Sequence, residues 1–410
     1  MMDPSLINGK DRHIQVDASL FSQDRSGGDS YERSAGSDAD TWWTLLSSPL
    51  TSLMQSAQYP QEQQANYASF IWRNIIPSLG PAHLQSGQPH FDSFCNDDFS
   101  PVELSWNLHA GKSTIRIGFE PIGPDAGTVQ DPFNQLEPEV AMSRFKANDP
   151  CVNDELWRHF CRDLRVNADD APLAISRMAL NEHMTVNTIS LDLTGSLVPK
   201  VYFYPIAKGL SLGKAPGPLV ANSIDRLQSL GIDVTSSLDM IRAFIVESER
   251  IHGNILRLEC VSFDAVKPVD SRFKLYIRTP QNSLSRALQI YTLGGRLNGD
   301  DVDRGLDSIR SFWSTVLRCD QLDEELPLSE HRTAGIIFNS SYAMGRLRLG
   351  PKSTFQSGII ANTIWKLPKV LYASSISWVG KTARILTCVS SVRRCKFLDL
   401  KTSRSHPNGK

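Results

Sequence analysis

The chain has 410 residues, of which 40% are hydrophobic and 21% charged, and 43 Lys+Arg against 44 Asp+Glu leave a formal net charge of −1; that is the composition of a globular protein of two or three domains or one large barrel, without the charge excess of a bulk-charge nucleic-acid binder. No run approaches the ~20 apolar residues of a membrane helix, and the polar stretch Met1 to Asp40 lacks a signal-peptide core, so a cytoplasmic protein without membrane or nucleic-acid partners is expected. Seven scattered cysteines without a CxxC spacing read as reduced thiols and exclude a disulfide framework or a zinc site.

Residues 1–40 carry no periodic apolar positions and are expected to form a mobile tail. From Trp42 to Ile76, Trp43, Leu46, Leu50, Leu53, Met54, Tyr67, Phe70, Ile71 and Ile75 recur at helical spacing, which predicts two amphipathic helices interrupted at Pro49 and at Tyr59-Pro60. A hairpin follows, Val102–Leu108 and Ser113–Glu120, turning at Ala110-Gly111-Lys112. Helices at Glu155–Leu164 and Leu173–Met184 precede strands at Thr188–Leu193 and Lys200–Pro205. Helices at Leu219–Leu230 and Leu238–Glu249 precede strands at Leu256–Phe263 and Phe273–Ile277, and helices at Ser283–Thr292 and Val302–Leu317 precede a strand at Ala334–Asn339. This recurring order of helix, two strands and helix predicts an antiparallel sheet with helices on one face; closed on itself, such a sheet encloses a chamber.

Two strands share a pattern, Lys200-Val-Tyr202-Phe-Tyr-Pro205 and Arg272-Phe-Lys274-Leu-Tyr276. Because strand side chains alternate, Lys200 and Tyr202 share one face, as do Arg272, Lys274 and Tyr276, while their apolar neighbours point the other way. An isolated strand of this kind would present its polar face to solvent. Two copies flanked by helices place the apolar face under the helices and the cationic face inside. Such a lining needs an anion: Lys and Arg give charge-assisted bonds to phosphate oxygens, and tyrosine rings can shield a cation, a combination suited to a diphosphate leaving from a carbon that turns cationic. In the hairpin, Glu103, Ser105 and Asn107 share one face and Arg116, Gly118 and Glu120 another. Glu103 and Arg116 then either line the same chamber, the carboxylate accepting from an acceptor's N–H or O–H, or form a cross-strand pair on a wet face.

Asp300-Asp301-Val302-Asp303 resembles a magnesium-binding aspartate cluster, but Arg304 breaks the spacing and a helix-capping role fits better. No HExxH, GxGxxG or P-loop pattern is present.

Val102-Glu-Leu-Ser-Trp106, Arg116 with Phe119-Glu-Pro121, Lys200-Val-Tyr-Phe-Tyr-Pro205, Ser271-Arg-Phe-Lys-Leu-Tyr276 and His331-Arg-Thr-Ala-Gly-Ile336 together resemble the fungal dimethylallyltryptophan synthase family of aromatic prenyltransferases, over about Trp42 to Asn339. The resemblance implies an α+β fold, an antiparallel barrel of ten strands built from αββα units and ringed by helices, which moves a dimethylallyl group from dimethylallyl diphosphate to an indole-containing metabolite without metal or other cofactor. It implies Glu103 as the catalytic acid that orients the acceptor, Arg116, Lys200, Tyr202, Arg272, Lys274 and Tyr276 as ligands of diphosphate and allyl cation, and Arg257 as an acceptor contact. Some members carry a lysine at the start of the strand before Lys-x-Tyr; Val186-Asn187-Thr188-Ile189-Ser190-Leu191-Asp192 stands here without one, which leaves the position of attack, the proton acceptor and acceptors other than free tryptophan open. A phenolic or xanthone acceptor is the alternative within the class, and a non-catalytic remnant that binds diphosphate the alternative outside it.

After Asn339 the family's further strands and helices are not recognisable. Read one base over, the codons from Gly350 to Trp365 can encode a Lys-x-Tyr strand, and those from Leu367 to Gly380 an amphipathic helix. Trp365-Lys366 and Trp378-Val379 force Glu and Gly in that frame. The expectation is a domain over 41–339, incomplete at its C-terminal end, and an out-of-frame tail over 340–410.

Overall fold

The computed structural model describes residues 35–343 apart from 83–87, 110–111, 180–181, 233–234, 254–255 and 328–333, together with 360–361, 384–387 and 396–399. In chain order it contains α1 (Ala35–Ser56), α2 (Gln61–Asn74), β1 (Val102–His109), β2 (Lys112–Phe119), α3 (Leu136–Asn148), α4 (Glu155–Leu164), α5 (Ala171–Ser176), β3 (Asn187–Asp192), β4 (Lys200–Phe203), α6 (Ile206–Leu212), α7 (Pro216–Asp225), α8 (Thr235–His252), β5 (Arg257–Asp264), β6 (Arg272–Thr279), α9 (Leu284–Tyr291), α10 (Asp300–Val316) and β7 (Ile336–Ala343), then β8 (Ile360–Ala361), β9 (Arg384–Thr387) and β10 (Lys396–Asp399). β1 to β8 form one antiparallel sheet in sequence order, and β9 and β10 pair as a separate ribbon.

Strands β1 to β7 are sorted by the alternation seen in the sequence, apart from a bulge in β5. On one face Ile115, Ile117, Phe119, Ile189, Leu191, Val201, Phe203, Val261, Phe263, Phe273, Leu275, Ile277 and Phe338 are buried in the core. Helix α4 seats its aromatic edge there: Phe160 stacks on Phe263 with centroids 5.3 Å apart, and Trp157 lies 5.2 Å from Phe203. A fully buried aromatic side chain contributes about 2–3 kcal/mol, so this layer fixes the register of the strands above it. The other face carries the polar residues.

Several elements depart from the sequence expectation. α1 begins at Ala35, inside the expected tail, and runs through Pro49, where an interruption is predicted. Proline removes one helical hydrogen bond, but Trp42, Leu46, Leu50, Leu53 and Met54 form one buried stripe on both sides of it, and that burial outweighs the lost bond. The helix expected over Leu173–Met184 stops at Ser176. Val186 is claimed instead by the sheet, its carbonyl accepting from the Tyr204 N–H at 2.9 Å. Sequence reasoning passes over α3, whose first amides are satisfied by Asp131, upstream of the usual capping position: Gln135 N and Leu136 N donate to its carboxylate at 2.7 and 3.0 Å. At α10, Asp300, Asp301 and Asp303 occupy the first turn, and Asp301 pairs with Arg304. Among the described residues no helix is long and apolar enough to cross a membrane, and no group of three or more His, Cys, Asp or Glu could hold a metal ion.

Candidate active site

Strand register brings the predicted residues onto one face. Opposed residues point the same way, so the pairs Glu103↔Gly118, Ser105↔Arg116, Arg116↔Asp192, Ser190↔Lys200, Thr188↔Tyr202, Lys200↔Asp264, Ser262↔Lys274, Cys260↔Tyr276 and Tyr276↔Asn339 all belong to the polar face. In a flat sheet β2 and β6 would lie about 19 Å apart at ~4.8 Å per strand. Yet Arg116 on β2 is the strongest charged neighbour of Lys274 on β6, and Tyr276 in turn acts on Arg116. The sheet is therefore curled, with its polar face inward.

The cations on this face are arranged around two carboxylates. Asp192 accepts from Arg116 Nε at 2.6 Å through Oδ1 and pairs with Lys200 through Oδ2. Burial raises the Asp192 carboxyl, but Arg116 and Lys200 more than reverse this and hold it down at about 2. Asp264 accepts from Arg272 Nε at 2.7 Å at the solvent-facing end. Lys274 has no protein hydrogen-bond partner among the described residues. Burial first, then Arg116, Arg272 and Lys200, depress it to about 8. Four cations and two carboxylates thus leave a local excess of positive charge, with an ammonium free to accept an anion. Beside it Tyr202 and Tyr276 bring their rings within 5.8 Å of each other.

Glu103 lies on the same face. Its across-strand neighbour is Gly118, so the cross-strand pair with Arg116 is not formed; Arg116 stands opposite Ser105 and bonds Asp192 instead. Burial raises the Glu103 carboxyl and the charge of Arg116 lowers it in part. The side chain retains some exposed area while being surrounded by protein atoms, as expected of a group that faces an enclosed space.

The sequence reading missed several residues here. Asp192 and Thr188 were legible, because Thr188, Ser190 and Asp192 alternate with Ile189 and Leu191 as the lysine strands do. Glu259 was not: it sits at a β-bulge where the register shifts between Leu258 and Cys260, so it breaks the two-residue phase. It is 2% exposed and accepts from Arg257 Nη2 at 3.0 Å and Arg278 Nε at 2.8 Å, while Arg257 Nη1 donates to Glu182 at 2.6 Å. Arg257, the expected acceptor contact, is therefore held by two carboxylates at this edge of the polar face. Tyr204 continues the face of Tyr202; His183 meets its ring edge-on at 5.1 Å and stacks on Phe94 at 4.0 Å. Asn187, at the start of β3, is buried and donates to the Tyr202 carbonyl at 3.4 Å. His331 and Arg332 lie outside the described residues.

The family described as tryptophan dimethylallyltransferase matches residues 38–356. The chain belongs to this family. It is accordingly a prenyltransferase of the aromatic class. It is 33% identical over 326 residues to a 7-dimethylallyltryptophan synthase of Aspergillus fumigatus, covering 76% of this chain and 68% of that protein. It is 31% identical over 314 residues to an indole diterpene prenyltransferase of Penicillium janthinellum, covering 74% and 71%. Among solved structures, AnaPT from Neosartorya fischeri superposes with a TM-score of 0.65 at 26% identity, over 74% of this chain and 72% of that one. NotF in complex with brevianamide F and DMSPP has the same fold, with a TM-score of 0.62 at 21% identity, over 77% and 76%.

Proposed function

We propose that this protein transfers a dimethylallyl group from dimethylallyl diphosphate to a ring carbon of an indole, with Glu103, Arg116, Lys200, Tyr202, Arg272, Lys274 and Tyr276 carrying the reaction. The allylic C–O bond breaks and its electron pair leaves with the diphosphate into the cage of Arg116, Lys200, Arg272 and Lys274. The allyl cation is shielded by the neighbouring rings of Tyr202 and Tyr276. Glu103 accepts the indole N–H, raising the electron density of the ring, which forms the new C–C bond to the allyl cation and then gives its proton to the departed diphosphate held in the cage. Asn187 offers no base for that proton.

The observation that carries this reading is Lys274, an ammonium enclosed by three further cations with no protein hydrogen-bond partner among the described residues. Kinship with tryptophan and indole diterpene enzymes supports an indole acceptor over a phenol or xanthone. Incubation of the purified chain with dimethylallyl diphosphate and a panel of indoles tests it: a prenylated indole supports the reading, and diphosphate binding without product would replace it by the non-catalytic remnant.

The ten-stranded closed barrel of the family, the limits 41–339 and the out-of-frame origin of 340–410 belong to the same proposal. β7 extends to Ala343 and the family match to residue 356, so the transcript from Gly335 onward is the segment to sequence. An uninterrupted frame encoding this tail would refute the frame proposal.

A further inference from the structure

Asp192 stands where a competing carboxylate ought to be harmful. It lies on the inward face between Arg116 and Lys200, two groups assigned above to the diphosphate, and takes a hydrogen bond from each. The charged and titratable groups that act on or with it are Arg116 on β2, Lys200 on β4, Arg272 on β6 and Tyr59 before α2, while Tyr202, Asp264, Lys274 and Tyr276 share its face of the sheet. Without it, Arg116, Lys200, Arg272 and Lys274 would share one enclosed space with Asp264, which is engaged at the outer end by Arg272, and with Glu103, which burial disfavours as a charged group. Like charges so placed either move apart or lose protons, and lysine is the side chain that can do so.

We infer that Asp192 is a positioning residue of the diphosphate cage, which holds Arg116 and Lys200 side by side and keeps Lys200 charged in the empty site, yielding their hydrogen bonds when diphosphate arrives. This rests on the cage reading of the site. It entails two opposed effects of Asp192 on anion binding. As a competitor for Arg116 and Lys200 it weakens binding; as the counter-charge that keeps Lys200 protonated it extends binding to higher pH. Burial and Arg116 already pull Lys200 below its usual value, and Asp192 is the leading opposing influence.

The full chain is titrated with inorganic diphosphate by calorimetry from pH 6 to pH 9.5, as native protein, D192N, D192S and D192E, with circular dichroism establishing that each is folded. D192N and D192S are expected to bind as tightly as native near pH 6 or more tightly, and to lose affinity at a midpoint lower by about one pH unit; D192E, which keeps the charge, is expected to retain the native midpoint. Curves displaced in parallel at every pH, without a shift in midpoint, would overturn the inference and leave Asp192 a merely structural residue. If one of the two neutral variants fails to fold, the other suffices, with D192E as the charged control. K274A separates this from the reading beneath it: unchanged diphosphate affinity in K274A would sink the cage itself, whereas weakened binding in K274A with an unmoved midpoint in the Asp192 variants would sink only the role given to Asp192.

Discussion

Gly118 faces Glu103 across the β1–β2 pair so closely that a Cβ at residue 118 would lie 3.0 Å from Glu103 Oε1 and 3.1 Å from its Cγ. The absent side chain is what lets the carboxylate lie over the strand. G118A should displace Glu103 without touching the core, since Gly118 and Glu103 are both on the polar face. The expected outcome is a kcat/KM for prenyl transfer lower by roughly ten- to a hundredfold with an almost unchanged melting temperature. Steady-state kinetics beside a thermal melt check this.

Glu103 itself is the group expected to act on the acceptor. E103Q keeps the shape but is a weaker acceptor of the indole N–H, and kcat should fall by roughly 10²- to 10⁴-fold. Diphosphate affinity should stay near native, because Arg116, Lys200 and Arg272 are paired with Asp192 and Asp264 and neither they nor Lys274 form an ion pair with Glu103. Comparing turnover with diphosphate binding separates the two.

Lys274 sets a pH dependence with a definite sign. In the empty cage it carries its charge below about pH 8 and is neutral above. Diphosphate favours the charged form, so above pH 8 binding must take up a proton and affinity should fall, approaching tenfold per unit. Calorimetry in buffers of different ionisation enthalpy should record that uptake, and K274R, charged throughout, should flatten the alkaline limb.

Glu120 makes a second pH prediction, on stability. Its carboxylate is fully buried; Ser93 and Thr185 donate to it at 2.7 and 2.8 Å and Asn134 at 3.4 Å, yet burial wins and pushes it up from 4.5 to about 7. A folded-state value raised above the unfolded one means that the stability it contributes is present below about pH 4.5 and is lost as pH rises through 7, by up to about 3 kcal/mol. E120Q should be flat over that range, and since Asn134 also donates to the Pro121 carbonyl at 2.7 Å, it should keep the fold. Urea denaturation at pH 5 and pH 7.5 measures the difference.

Glu259 lies between Arg257 and Arg278 with almost no solvent exposure. Removing its charge takes one carboxylate from both guanidinium groups, although Arg257 keeps Glu182 and Arg278 keeps the Ala334 carbonyl, and E259Q should cost roughly 1–3 kcal/mol in denaturant unfolding.

The two-residue alternation made most of the site legible. Lys200 with Tyr202, and Arg272, Lys274 and Tyr276, could be assigned to one face from the sequence because Val201, Phe203, Phe273 and Leu275 had to face the helices. The same rule reached Glu103 and Arg116, but it could not say that Arg116 would bond Asp192 rather than Glu103, because the stagger of β3 against β2 is set by packing and not by local pattern. Glu259 was beyond reach for a different reason: a bulge inserts one residue and inverts the parity from which faces are read. Helix α1 passing Pro49 and the segment before Asn187 leaving its predicted helix are both cases in which contacts distant in sequence outweighed local preference.

The division of labour between the two surfaces of the curled sheet has an evolutionary consequence. Residues such as Phe203, Phe263 and Phe273 anchor the scaffold from behind, while those of the interior rest mainly on one another. Mutations lining the cavity can therefore accumulate under a nearly constant backbone. A lineage built in this way can drift from one aromatic substrate to another by exchanging inward side chains, without passing through an unfolded ancestor.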